Sequence, residues 1–241
     1  MKEKIKNIYN RISYAIIPFI IFLIVLGISY LGNQILYSQG VTKGSNYPEI
    51  ELDKHIPLIS WFVYPYFLTF SLGLFTFFYM AYKDKKAFYN MWIALIISFA
   101  ISGIIYAFAQ TYFTKPEFEP KTFTDKFVVW TWNSTAPVNC FPSQHCFMAY
   151  AMIIACMSCK KEKMNIFFRL FTITMAILIV LATVFIRQHF ILDMVASFII
   201  MFPIWAISHT FKWGDKAMAK EEKLRVKYLA KRLEKQDAKK K

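Results

Sequence analysis

Charged residues are scarce in this sequence, and their scarcity excludes an ordinary soluble domain. Only 18% of the 241 residues are Asp, Glu, Lys or Arg, whereas 57% are hydrophobic. A soluble domain averages about 25% charged and about 45–50% apolar residues. The excess lies in long runs such as 14–31 and 170–186. Each is about long enough to cross roughly 30 Å of hydrocarbon as a helix, which predicts an integral membrane protein.

Cysteine is also scarce, which bears on metal binding. Four cysteines are present, and Cys156 and Cys159 form a C-x-x-C pair beside two lysines. A structural zinc site needs four Cys or His ligands, and neither a second pair nor a nearby histidine completes the set. We therefore expect no metal site. Cys140 and Cys146 are expected to be packed thiols, with a disulfide between them as the alternative.

Glycine is rare as well, with seven residues. Many secondary transporters bind their substrate near the membrane midplane, between Gly- or Pro-broken helices in two matching halves. The sequence shows neither feature, and its polar residues collect at one membrane face instead. A transporter or a non-catalytic scaffold is therefore the least favoured class of function.

Six apolar segments are evident, and they predict an all-α polytopic membrane protein with six transmembrane helices. They cover about 14–35, 61–82, 88–110, 143–159, 166–187 and 190–211. Helices are required because lipid cannot satisfy an open backbone. The basic start and first apolar stretch resemble a signal peptide. That stretch is too long for one and no A-x-A cleavage site follows, so we expect it to be retained as the first span.

The distribution of basic residues predicts the orientation. With both termini on one side, that side holds 23 of the 29 Lys and Arg, and the other side holds six. The positive-inside rule then places both termini in the cytoplasm. Twelve of these residues lie in 212–241. We therefore assign the net charge of +14 to topology and anionic lipid headgroups rather than to nucleic acid. The tail 213–241 is expected to be a solvated or membrane-surface helix, with a partner-binding helix as the alternative.

Five ionisable residues fall at one predicted depth, on the outer side of the membrane. Lys115 ends the third span, His145 begins the fourth, and Arg187, His189 and Asp193 lie between the fifth and sixth. A lone histidine at a helix end is usually a packing residue, and a lone arginine there can be a lipid anchor. Ionisable groups next to hydrocarbon are costly, however, so five together indicate a functional site.

The spacing of these residues suits the binding and transfer of phosphate. His189 and Asp193 are four apart and share one helix face, so the carboxylate can orient the imidazole and leave its other nitrogen free. Ser143 is a plausible N-cap of the fourth helix, whose first N–H groups form an anion site. Lys115 and Arg187 can add positive charge. His55 and His209 have no such neighbours and are expected to be structural.

These residues resemble the signature of the type 2 phosphatidic acid phosphatase superfamily. Its pattern has a basic stretch ending in Arg-Pro, then Pro-Ser-Gly-His, then Ser-Arg followed by His-x-x-x-Asp. Here Lys115-Pro116 is similar to the first part, Pro142-Ser143-Gln144-His145 to the second, and His189-Phe-Ile-Leu-Asp193 to the third. The resemblance implies a membrane phosphatase or phosphotransferase domain over 1–212, followed by a basic cytoplasmic tail over 213–241.

The resemblance also implies a role for each residue and no cofactor. His189 would attack phosphorus to form a phosphohistidine, and Asp193 would orient it. His145 would protonate the leaving oxygen and then activate the acceptor. The phosphoryl oxygens would be held by a set of four: Ser143, the Gln144 amide, Lys115 and Arg187.

The sequence departs from the family pattern at four positions. Phe108 stands where the family has an upstream lysine, and Lys115 replaces the arginine of Arg-Pro. Gln144 replaces the glycine of Pro-Ser-Gly-His, as a larger residue does in inositol phosphorylceramide synthase-like members. Thr183 stands where the family has an arginine six residues before the last histidine, and Arg187 lies two before it.

Two enzymatic activities fit this set of residues. The first is a lipid phosphatase acting at the outer face of the cell membrane on a lipid phosphate or pyrophosphate. The alternative is a phosphotransferase that passes the phosphoryl group to an alcohol, which the residue at 144 favours slightly. The sequence leaves the lipid and the oligomeric state open.

Overall fold

The computed structural model describes residues 12–40, 49–112, 115–134 and 136–238. Most of these residues are helical, and the only β-pairing among them is an isolated bridge between Tyr112 and Val138. The helices in chain order are α1 Ser13–Ser38, α2 Glu51–Lys54, α3 Ser60–Lys83, α4 Lys85–Phe108, α5 Phe123–Asn133, α6 Gln144–Ser158, α7 Ile166–Phe185, α8 Ile191–Thr210 and α9 Trp213–Ala238. The basic residues before residue 12 and after 238 lie outside this part of the chain.

Five of these helices are long and apolar enough to cross a membrane, namely α1, α3, α4, α7 and α8. The all-helical prediction is therefore confirmed. The fourth predicted segment, α6, has 15 residues, or about 22 Å at 1.5 Å per residue, which is shorter than the roughly 20 residues of a full span. The count of six spans and the sides of the two termini stay predictions.

The short helix α6 lies inside the bundle. It packs against α3, α4, α7 and α8, and eleven of its 15 residues are buried. Because neighbouring helices rather than lipid surround it, α6 can be shorter than a full span without exposing its backbone to lipid. This position brings its first residues, Ser143 to His145, to the interior of the bundle. All four cysteines are free and buried, as expected for packed thiols.

A short helix, α5, covers the end of the bundle where α6 begins. The helix α5 starts at a capping box formed by Thr122 and Asp125, and Ser60 Oγ donates to Asp125 Oδ1 at 2.5 Å. From the other end of α5, Trp132 Nε1 donates to the carbonyl of Ile186 at 2.8 Å. The α5 segment therefore ties the start of α3 to the turn between α7 and α8.

The tail forms the long helix α9, as expected, and its first turns dock on the opposite end of the bundle. Lys86 Nζ lies 2.9 Å from Asp215 Oδ2, and Lys85 pairs with Glu221. Gly214 fits so closely that a Cβ there would lie 2.3 Å from Asn90 Oδ1. A small residue and two ion pairs thus join α9 to the beginning of α4. The division of the chain at residue 212 stays a prediction.

Candidate active site

The turn between α7 and α8 carries His189. It is closed by the carbonyl of Thr183, which accepts from the N–H groups of Gln188 at 3.1 Å and His189 at 2.9 Å. Arg187 occupies the left-handed region with φ 53°, the conformation that commonly ends a helix, although usually at glycine. The turn directs His189 back into the bundle, where only 8% of its surface is exposed.

His189 and Asp193 form the expected pair, but His189 lies in the turn before α8 and not on one face of that helix as predicted. The Nδ1 atom of His189 lies 3.0 Å from Asp193 Oδ2 and 3.1 Å from the carbonyl oxygen of Cys140. The same Oδ2 atom accepts from the N–H of Phe190 at 3.0 Å. Both neighbours of Nδ1 are acceptors, so Nδ1 carries the proton. The other nitrogen, Nε2, then has its lone pair available as a nucleophile.

The segment before α6 is held by hydrogen bonds to Gln110 and Thr111, which follow α4. Gln110 and Asn139 exchange two hydrogen bonds, of 2.7 Å through Gln110 Nε2 and 2.9 Å through the Asn139 N–H. Asn139 has φ 63°, which asparagine adopts more easily than most residues. Thr111 Oγ1 accepts from Phe141 N–H at 2.9 Å. These contacts place the Cys140 carbonyl against His189.

Ser143 is the N-cap of α6, which confirms that part of the prediction. Its hydroxyl accepts from Cys146 N–H at 3.3 Å. Its own N–H donates to the carbonyl of Asp193 at 3.4 Å, and its carbonyl accepts from Ser197 Oγ at 3.0 Å. The start of α6 is thereby joined to the first turns of α8.

The side chain of Gln144 lies between three helices. Its Nε2 atom donates to Ser29 Oγ of α1 at 2.9 Å and to Ser102 Oγ of α4 at 3.0 Å. Its Oε1 atom is buried and has no hydrogen-bond partner among the residues that the structure describes. The side-chain N–H groups therefore link helices, and the backbone of Gln144 remains part of the N-terminus of α6.

His145 faces His189 across the site, with ring centroids 5.8 Å apart. Tyr66 of α3 stacks on His145 at a centroid distance of 4.2 Å. Phe70 meets the same imidazole edge-on at 5.2 Å. Two aromatic rings thus define the orientation of His145, and neither was among the residues expected from sequence.

The two predicted phosphate-binding cations lie at the edge of this arrangement. Lys115 is half-buried, and this burial lowers the pKa of its ammonium from the ordinary value. The Arg187 guanidinium binds backbone carbonyls of the segment before α3. Its Nη1 atom donates to the carbonyl of Asp53 at 2.8 Å, and Nη2 donates to the carbonyl of Ile56. The structure therefore joins Arg187 to the loop between α1 and α3, which the sequence predicts to be the first outer loop.

The two histidines line a cavity of about 440 Å³ between α1, α3, α5 and α6. Its polar lining includes Gln144 and Gln188, and the Oε1 atom of each is buried without a partner among the described residues. A second cavity of about 250 Å³ shares Leu26 and Phe70 with the first and has apolar side chains on every side. Within the described ranges, no three His, Cys, Asp or Glu side chains cluster as metal ligands would.

A family model described as the PAP2 superfamily matches residues 91–216, more than half of the chain. The chain belongs to the PAP2 superfamily. This match confirms the predicted family. All of the expected site residues fall within it, and their roles stay predictions. No curated protein and no solved structure matches the chain.

The PAP2 match leaves out several residues that shape the site. Tyr66 and Asp53 precede residue 91, yet the first stacks on His145 and the second contacts the His189 turn. No local sequence pattern marks either residue, because Tyr66 and Asp53 contact residues that are 79 and 138 positions away in the sequence. Only the burial cost of a carboxylate in the first outer loop could have drawn attention to Asp53.

Proposed function

We propose that this PAP2 superfamily protein is a lipid phosphatase that works through a phosphohistidine at His189. Members of the superfamily are phosphatases or related phosphotransferases. The observation that carries the proposal is the double contact of His189 Nδ1 with Asp193 and with the Cys140 carbonyl. These acceptors fix the tautomer whose free Nε2 can attack phosphorus.

In the first step, Nε2 of His189 forms a bond to phosphorus while the bond from phosphorus to the lipid oxygen breaks. His145, in its protonated form, gives a proton to that oxygen, and the dephosphorylated lipid leaves. In the second step, His145 takes a proton from water, whose oxygen attacks phosphorus as the phosphorus–nitrogen bond breaks. Inorganic phosphate is released, and both histidines return to their initial states.

The phosphoryl oxygens are proposed to lie at the beginning of α6. The first N–H groups of a helix attract anions through unsatisfied donors and the helix dipole. The Gln144 N–H and the Ser143 hydroxyl are proposed to donate here, because the Ser143 N–H already donates to the Asp193 carbonyl. Lys115 is proposed as the cation. The guanidinium of Arg187 binds carbonyls of the first outer loop, so we propose a different role for it below.

The apolar surroundings support a lipid as the substrate. The cavity beside the histidines has mainly apolar walls and adjoins the second apolar cavity through Leu26 and Phe70. Burial of a hydrocarbon chain in such a space is favourable by about 25 cal/mol per Å² of apolar surface. The positive-inside bias of the sequence supports a site at the outer face of the cell membrane.

One observation favours transfer to an alcohol as the second candidate. The Oε1 atom of Gln144 is buried without a partner among the described residues, and Gln144 lines the cavity that contains His145. An acceptor hydroxyl could donate to this oxygen while His145 removes its proton. Water would then be replaced by an alcohol in the second step.

The test uses purified protein in detergent with a panel of ³²P-labelled lipid phosphates, with and without candidate alcohols. We expect free phosphate from hydrolysis, whereas a new labelled phosphodiester would indicate transfer. His189→Ala and Asp193→Asn should each lower turnover by at least about 10²-fold, the lower range for loss of acid–base or nucleophilic catalysis. Turnover at the wild-type rate in either variant would refute the assignment.

His209→Ala is the matched control. This histidine is exposed near the end of α8 and contacts Trp205, so its loss should leave turnover unchanged. A second readout follows the intermediate itself. Rapid quenching should yield acid-labile, base-stable label on the wild-type chain and none on His189→Ala.

A further inference from the structure

A short segment of the first outer loop is attached to the turn that carries His189. It contains α2 and the residues up to Ile59. The Ile59 N–H donates to the carbonyl of Phe185, the last residue of α7, at 3.0 Å. Two side chains, Asp53 and Arg187, make the remaining attachments. We call this arrangement the loop clamp.

Asp53 bridges the loop and the beginning of α8. Its Oδ1 atom accepts from the N–H of Ile191, the first residue of α8, at 2.9 Å. Its Oδ2 atom accepts from the N–H of Ile50 at 2.9 Å. Only 2% of Asp53 is exposed. A carboxylate this buried is costly unless its oxygens are satisfied, so both N–H donors hold it in place.

Arg187 makes the reciprocal attachment from the turn to the loop. Its guanidinium donates to the carbonyls of Asp53 and Ile56. A planar fork can reach two carbonyls at once, which a lysine cannot do with the same geometry. The left-handed backbone of Arg187, with φ 53°, is unfavourable for a residue with a Cβ and persists only when its surroundings hold it.

The two attachments flank the proposed nucleophile. Arg187 lies two residues before His189 and Ile191 two residues after it. Between them, His189 depends on the turn for its approach to Asp193 and the Cys140 carbonyl. Displacement of a reacting group by about 1 Å can lower a rate by about 10²-fold. The clamp is therefore placed where a small movement would matter for catalysis.

We propose that Asp53 and Arg187 are positioning residues that act as one unit on His189. In this role Arg187 secures the turn through the outer loop and does not bind the phosphoryl group. The inference rests on the proposed function, because it concerns the rate of the His189 reaction. It also gives Arg187 a role different from that of the family arginine, whose position is occupied here by Thr183.

The experiment measures kcat and KM of the full-length purified protein with one turned-over lipid phosphate. The variants are Asp53→Ala, Arg187→Ala, Arg187→Lys and the double alanine variant. Glu51→Ala is the control, since Glu51 lies on the same short helix with its side chain 73% exposed and pairs only with Lys54 among the described residues. Its kinetics should match the wild type.

If the clamp positions His189, each alanine variant should lower kcat by about 10- to 100-fold and change KM by less than about threefold. The double variant should be no worse than about twofold below the poorer single variant, because both changes release the same turn. Arg187→Lys should not restore kcat. If Arg187 bound phosphate, Arg187→Ala would instead raise KM, Arg187→Lys would partly restore it, and the effect would combine multiplicatively with that of Asp53→Ala; that pattern would overturn the inference.

Two outcomes separate this inference from the proposed function. If the wild type releases no phosphate from any lipid phosphate, the proposed function fails. If the wild type is active and Asp53→Ala behaves like Glu51→Ala, only the clamp fails. Should an alanine variant not fold, Asp53→Asn keeps the size of the side chain but offers one oxygen to two N–H donors. Asp53→Asn should then lower kcat by less than the roughly 10- to 100-fold expected of the alanine variants. A wild-type kcat in Asp53→Asn would overturn the inference.

Discussion

The phenol ring of Tyr66 lies against the imidazole of His145, with ring centroids 4.2 Å apart and an interplanar angle of 22°. The Tyr66 hydroxyl is 3.4 Å from His145 Nδ1, which is long for a hydrogen bond. The stacking is therefore the stronger part of the contact. It places a residue of α3, outside the PAP2 match, against the proposed general acid.

The stacking predicts that the ring of Tyr66 matters more than its hydroxyl. An aromatic pair contributes about 0.5–1.5 kcal/mol, so complete loss of the alignment it gives should lower kcat by roughly two- to tenfold. We expect this fall for Tyr66→Ala and less than about a twofold change for Tyr66→Phe. The measurement is phosphate release by purified variants. Tyr64→Ala is the control, because Tyr64 is 44% exposed on the same helix. An equal loss in the Phe and Ala variants would assign the effect to the hydroxyl.

The apolar cavity predicts a dependence on the length of the lipid chain. Ala151 is 2% exposed and lines this cavity of about 250 Å³. Leucine there would fill space that a hydrocarbon chain would occupy. We expect Ala151→Leu to lower kcat/KM for long-chain lipid phosphates by at least about fivefold, since each excluded CH₂ forfeits about 0.8 kcal/mol of burial. Short-chain analogues should change by less than about twofold.

The control for the cavity is Ile177→Phe, which enlarges a side chain that is 48% exposed on α7. It should leave both substrate classes unaffected. Thermal unfolding of each variant in detergent separates blocking from overpacking, which commonly destabilises a core by about 1–3 kcal/mol. An equal loss for short and long chains in a stable Ala151→Leu protein would contradict a chain-binding role.

Much of the fold could be predicted from local sequence pattern. The residues whose contacts could not be predicted show the limit of such patterns. The helices depend on neighbours along the chain. The spacing of four predicted the His189–Asp193 contact, but not that His189 would lie in the turn before α8 rather than on that helix. Ser143 was recognised as an N-cap because Pro142 and the following apolar run mark a helix start. Such contacts join residues that are only a few positions apart in the sequence.

The contacts between distant segments could not be predicted in this way. The directions of the Gln144 and Arg187 side chains depend on which helix or loop packs beside them, and no spacing encodes this. Arg187 was expected beside phosphate because charge and sequence position were the only guides. The shortness of α6 did follow from the sequence, since 143–159 is the shortest of the six predicted segments. Its enclosure by other helices did not, because hydropathy reports only an apolar segment.

Gln144 is predicted to stabilise the bundle through its two serine partners. Interhelical hydrogen bonds in membrane proteins average about 0.6 kcal/mol and reach about 1.7 kcal/mol. Gln144→Met keeps a similar shape and removes both donations, so we expect a loss of about 1–2 kcal/mol in free energy of unfolding. Titration with a denaturing detergent measures it. Ser29→Ala with Ser102→Ala should cost a similar amount, and adding them to Gln144→Met should cost little more. Additive losses would show that Gln144 does not act through these serines.

The docking of α9 is predicted to depend on packing at Gly214 more than on charge. A Cβ at this position would lie 2.3 Å from Asn90 Oδ1 and 3.3 Å from Asn90 Cγ. The exposed ion pair between Lys86 and Asp215 should contribute at most about 1 kcal/mol and be screened by salt. Gly214→Ala should therefore detach the helix, although alanine is the better helix former by about 1 kcal/mol.

Trypsin cleavage of the tail measures this detachment, because α9 carries many lysines. We expect Gly214→Ala to be cut about five- to tenfold faster than the wild type, while high salt changes the wild-type rate by less than about twofold. Asn90→Ala removes the two atoms that the new Cβ would meet, so the double variant should regain slow cleavage. Ala219→Val, at an exposed position of α9, controls for a larger side chain. Slow cleavage of Gly214→Ala, or rapid release of the wild-type tail in salt, would mean that charge and not the Gly214–Asn90 contact holds α9 in place.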